Sequence, residues 1–146
     1  MKLNGILHVG SNVRLITPAG VKQYRNRVVR GGVLFIANFL LEGQSNYIDY
    51  IAVGDDGSAT RRSTETLYNE LFRKEITDRR LSADKPVFET FFFDEEANFH
   101  WRELGLFAGG TEDAGSGELI ARVVVDQQKT DDFVITTQWE IVITNV

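Results

Sequence analysis

Cysteine is absent from the 146-residue sequence, which removes disulfides, thiolate metal sites and thiol catalysis from consideration. That absence leaves the redox compartment open. Histidine is nearly absent too. His8 and His100 lie far apart and form neither an HExxH nor an HxH pair, so a histidine metal site has little support. Long hydrophobic runs are missing. The longest, Val33 to Leu41, contains Asn38 and falls well short of the ~20 apolar residues that cross a bilayer. Met1 to His8 lacks an apolar core of signal-peptide length. Nor is positive charge in excess: 16 basic against 21 acidic residues give a net charge of −5, which disfavours a general phosphate-binding surface. The expectation is one soluble, self-sufficient domain over residues 1–146, made in the cytoplasm.

What remains is ordinary globular composition, 42% hydrophobic and 25% charged, with a strong period of two in the second half. From Phe133 to Val146 the positions Phe133, Ile135, Trp139, Ile141 and Ile143 are apolar, broken only by Thr137. This predicts a long, central strand with one face on a core. Gly117 to Gln127 alternates likewise, with Leu119, Ala121, Val123 and Val125 on one face and Arg122 and Asp126 on the other. The polar stretch Gln127 to Asp132 reads as a hairpin-like link between these two strands. Val87 to Phe93 and Phe99 to Phe107 are two more strands around the acidic turn Asp94-Glu95-Glu96-Ala97-Asn98.

The first half is mixed. Leu7 to Ile16 and Val21 to Val29 read as strands around the turn Thr17-Pro18-Ala19-Gly20. Val33, Ile36, Ala37 and Leu40 have helix spacing, widened by Phe35, Phe39 and Leu41, which predicts a nearly all-buried helix ended by Gly43. Tyr47 to Val53 is a strand. A second helix is expected from Ser63 as cap, through Leu67, Tyr68, Leu71 and Phe72, to Arg73-Lys74. The fold class expected is therefore mainly β: an antiparallel β-sandwich with two short helices inserted in the N-terminal half.

No catalytic, cofactor-binding or metal-binding set emerges. Asp55-Asp56-Gly57-Ser58 lacks the register of a calcium loop and reads as a turn. Asp94-Glu95-Glu96 and Glu112-Asp113 fall in loops, where carboxylates are usually solvated. Ser63 and Ser116 lack a GxSxG context, and Gly105, Gly109, Gly110, Gly115 and Gly117 fit no phosphate-binding fingerprint. Arg25, Arg27 and Arg30, with the pairs Arg61-Arg62 and Arg79-Arg80, read as solvated edges and intersubunit ion pairs rather than a nucleic-acid face. Tyr24, Tyr47, Phe92, Phe99 and Trp101 would serve a glycan only if two of them were exposed side by side.

Several segments, in this order, carry a likeness: Asn26-Arg27-Val28-Val29, the Val33 to Leu41 helix, Tyr50-Ile51-Ala52-Val53-Gly54-Asp55 and Ser63 to Lys74. Trp101-Arg102-Glu103-Leu104-Gly105-Leu106-Phe107 and Leu119-Ile120-Ala121-Arg122 follow. The ordered set resembles small tailed-bacteriophage virion proteins, described as tail-fibre or tail-associated proteins. The resemblance implies a virion component, in the tail or collar, that works by shape and assembly. Its partners would be copies of itself in a cyclic homo-oligomer and other tail or neck proteins. It supplies no catalytic residues. A carbohydrate- or receptor-binding module of an adhesion apparatus is the alternative. For the subunit interface, the irregular Met1 to Ile16 segment predicts an edge strand, with Leu7, Val9, Val13 and Leu15 as contact residues.

Overall fold

The computed structural model describes residues 7–43 and 46–145. Among these residues nine strands and one helix follow in order: β1 Leu7–Thr17, β2 Gly20–Arg27, α1 Arg30–Glu42, β3 Ile48–Gly54, β4 Glu70–Glu75 and β5 Asp78–Ser82. Then come β6 Lys85–Phe92, β7 His100–Ala108, β8 Glu118–Gln128 and β9 Ile135–Asn145. They form two antiparallel sheets, β2-β1-β9-β6-β5 and β4-β3-β7-β8. Val13, Leu15, Phe92, Ile135 and Trp139 of the first meet Ile51, Val53, Leu104, Leu106 and Val123 of the second in one cluster. This is the layering of a β-sandwich.

β9 is the middle strand of its sheet, as its regular pattern predicts. Trp139 stands opposite Val13 on one side and Phe88 on the other, and is fully buried. The one polar position in that apolar run has its bonds made. Buried Thr137 donates its hydroxyl to Thr90 O at 3.2 Å, and Thr90 in turn donates to Glu75 O at 3.0 Å. A buried hydroxyl without such a partner would cost about 1–3 kcal/mol.

Three expectations are corrected. Residues 63–74 do not form a second helix: 63–69 are turns and coil, and Glu70–Glu75 is β4, paired with β3. The amides of Tyr68 and Asn69, which a helix would have used, donate instead to the Glu103 carboxylate at 2.9 and 2.7 Å. Gln127 to Asp132 is not a hairpin link, because β8 and β9 belong to different sheets. The segment crosses the sandwich and is held by Lys129, 1% exposed, whose ammonium donates to Asp94 O, Asn98 Oδ1 and Thr130 O at 2.8–3.2 Å. Finally, β1 is no edge. It is paired along most of its length with β9 and with β2.

Candidate assembly surface

Helix α1 starts where β2 leaves the first sheet and reaches the free edge of β8. Val28 bridges Ala121, and the Val29 amide donates to Ile120 O at 3.0 Å, so the chain is pinned to that edge before the helix begins. Gly31 and Gly32 allow the closeness that follows. A Cβ on Gly32 would sit 2.4 Å from Ile120 O, and one on Gly31 would sit 2.6 Å from Leu119 O. No larger residue fits without displacing the helix. At the other end Gly43, at φ 68°, returns its amide to Phe39 O at 2.9 Å and stops the helix.

The expected burial of this helix is not met, which is the first half's most informative correction. Gly32 is its only buried residue. Phe35 packs on the core cluster and Ile36 is half-buried, but Phe39, on that same side, is 55% exposed. The C-terminal half of α1 therefore overhangs the sheets. On the outer side Arg30, Val33, Leu34, Ala37, Leu40 and Leu41 follow i, i+3, i+4, i+7, i+10 and i+11 spacing. Leu40 and Leu41 are each 80% exposed. The reason is geometric: β8 offers one edge, and a helix with apolar residues on both sides has more surface than one edge can cover. A contiguous patch of roughly 300–600 Å² is already at the upper end for a monomer, and larger ones mark contact sites.

Beside α1 lies a strap, residues 55–69, laid over the outer face of the second sheet and fastened by two buried charges. Arg122 and Glu103 have fully buried side chains, 2.8 Å apart. Arg122 also donates to Asp56 O, Ser58 O and Thr60 Oγ1 at 2.7–2.9 Å, and its guanidinium lies 4.0 Å from the centre of the Tyr68 ring. Glu103 takes the Tyr68 and Asn69 amides as described. Five hydrogen bonds of the strap thus go to one ion pair. Gly54 lets it turn down: a Cβ there would be 2.2 Å from Asn69 O. Alternation in the sequence puts Arg122 on a solvent face; the structure buries it because the strap covers that face. Arg122, set between Ala121 and Val123 in an apolar run, was the available signal; Glu103 follows Arg102 and gave none. Between α1 and the strap a cleft of about 580 Å³ is lined by Arg30, Leu34, Ser63, Glu65, Thr66 and Glu118, with no aromatic ring to stack a sugar.

The residues expected at a subunit contact separate into two pairs. Val13 and Leu15 are fully buried in the chain's own core, which removes them from any interface. Leu7 is 58% exposed and Val9 half-buried, at the end of β1. The aromatic platform does not form as such. Trp101 and Phe92 are fully buried, their ring centres 4.9 Å apart and edge to face; Tyr24 and Phe99 are half-buried, and Tyr47 alone of the five is exposed. Asp56 makes a turn, its carboxylate accepting the Ser58 amide at 2.8 Å, and the Ser58 hydroxyl together with that amide lowers its pKa. His8 is exposed on β1, while His100 lies 2.5 Å from the Asp126 carboxylate, whose pKa it lowers. Among the described residues no three His, Asp or Glu side chains are grouped to hold a metal ion.

Of the carboxylates in Asp94-Glu95-Glu96 and Glu112-Asp113, that of Glu96 is the one engaged. Burial works to raise its pKa, but the Lys74 ammonium at 2.5 Å and the Phe93 amide at 2.8 Å outweigh it, and the net displacement is downward from 4.5. A carboxyl lowered in the folded state stabilises the fold above its unfolded value and loses that contribution as pH falls through the folded one. Glu96→Gln should therefore lower the urea midpoint at pH 7, and the gap from the parent should close on acidification below about pH 4. A gap independent of pH would mean that the pair contributes nothing.

No protein-family model, curated protein or solved structure matches the chain.

Proposed function

We propose that this chain is a structural protein of a tailed-bacteriophage virion, a tail, collar or fibre-attachment component. It acts by homo-oligomeric assembly and by docking to other tail or neck proteins. The observation that carries the reading is the overhanging, apolar α1, whose Leu40 and Leu41 are each 80% exposed. Water-exposed leucines on a helix with no charge between its two ends are costly to leave uncovered, and a partner relieves that cost. The likeness of the ordered segments from Asn26 to Arg122 to tail-associated proteins supplies the particle. A rigid two-sheet body carrying a projecting helix suits a part that assembles by shape.

The test has two arms. Mass measurement of the purified protein should give a multiple of the 16.5 kDa chain, and mass spectrometry of purified particles should find the chain in them. Absence from purified particles would overturn the virion reading, and a strictly monomeric protein would overturn its assembly from copies of itself.

A further inference from the structure

We infer that the outer face of α1 pairs with α1 of a second copy, antiparallel, about a two-fold axis near Ala37. This rests on, and makes specific, the self-association in the reading above. The first ground is the stripe itself. Val33, Leu34, Ala37, Leu40 and Leu41 repeat with the 3.5-residue spacing that lets two helices pack at about 20°. Ala37 is the small residue in the middle, where two helices crossing there come closest. An isologous contact of this kind needs only one self-complementary patch, and α1 supplies it.

The second ground is charge. The helix begins with Arg30 and ends with Glu42, with no charged residue between them. It has no acidic residue in its first turn and no basic one in its last. Both end charges oppose its own dipole, which favours acids at the N-terminus and bases at the C-terminus. In an antiparallel pair each end charge meets the end of the neighbour that suits it. Arg30 would come beside the carbonyl end and Glu42 of the partner copy, and Glu42 beside the partner's amide end and Arg30. The two residues are about 18 Å apart along the axis, so both ion pairs form in one register. A parallel pair would set like charges together. A different protein as partner would have no reason to match this inversion, whereas a second copy matches it by symmetry.

One helix face is smaller than the ~800 Å² each partner gives a standard interface, so the isolated pair is expected to be weak and concentration-dependent. Sedimentation equilibrium of the intact protein over a wide concentration range reads it directly. The parent should approach twice its chain mass at high concentration. Leu41→Glu should remain at one chain mass with an unchanged circular dichroism spectrum, since Leu41 is exposed and not needed by the core. Arg30→Glu and Glu42→Arg should each weaken the dimer roughly tenfold or more. Mixed in equal amounts, those two variants should form a heterodimer heavier than either alone, because every end contact is again opposite in sign. The double variant carrying both reversals should restore the ion pairs and dimerise more tightly than either single variant, but less tightly than the parent, because its end charges now oppose the neighbour's dipole.

The inference is overturned if the parent stays monomeric throughout, if Leu41→Glu still dimerises, or if neither the mixture nor the double variant recovers mass. Charge-swap rescue with no copies in purified particles would sink the virion reading and leave this pairing standing. Copies in particles without rescue would do the reverse.

Discussion

Arg122→Met is expected to lower the stability of the fold by about 3–5 kcal/mol, the range for removing one member of a buried ion pair. Two losses combine. Glu103 keeps a fully buried carboxylate with its cation gone, and Asp56 O, Ser58 O and Thr60 Oγ1 lose their donor. The damage should start in the strap, because residues 55–69 are held to the sheet chiefly through this pair. Limited proteolysis should cut between 55 and 69 in the variant under conditions that leave the parent intact, and the urea midpoint should fall. Glu103→Gln should be milder, since an amide oxygen still accepts from Tyr68 or Asn69. If Arg122→Met matches the parent in both midpoint and cleavage, the strap is held by its apolar contacts, such as Leu67, and not by charge.

That pair also marks where sequence pattern stops informing. Period-two alternation identifies β6 to β9 because each presents one face to the shared core. It cannot tell which sheet a strand joins. β6 and β7 follow one another across the acidic turn yet lie in different sheets, as do β8 and β9. Nor does alternation see that the outward face of the second sheet is covered. Phe107, Leu119 and Ala52 form a smaller cluster there under Leu67 and Val29, and Arg122 is buried on that side for the same reason. β5, all exposed, has no apolar signal at all; it is a strand only because β6 offers its ladder.

The missed strand β4 and the well-placed helix α1 show the same limit from opposite sides. Leu67, Tyr68, Leu71 and Phe72 have helix-like spacing, but Leu67 belongs to the outer cluster and Phe72 to the inner one. One stripe cannot serve two faces of a sheet, and the Glu103 carboxylate takes the amides a helix would need. For α1 the spacing and the Gly43 stop are legible, yet burial is not. A helix this apolar reads as buried, and sequence alone assigns its cover to the chain's own core. The structure leaves Leu40 and Leu41 exposed and buries Val13 and Leu15, which is why the proposed assembly surface is α1 and not β1.

Trp139→Ala should be the most damaging single change to the core, at about 3–5 kcal/mol. The ring is fully buried at the centre of the middle strand, with Val13 and Phe88 on the neighbouring strands, so the cavity left behind has no mobile segment to collapse into it. Marginal stability of about 5–15 kcal/mol means the loss removes a large share of the total. The measurement is convenient, because the chain has two tryptophans and the other, Trp101, is also fully buried. Trp101 emission then reports unfolding in the variant, and the urea midpoint should fall with little change in slope. Trp139→Phe, which keeps much of the ring volume, should fall between variant and parent. Leu41→Glu supplies the contrast: it should abolish pairing and leave the midpoint of the dilute monomer where it is. An unchanged midpoint for Trp139→Ala would mean that the β9 face assigned to the core is not the one that holds the two sheets together.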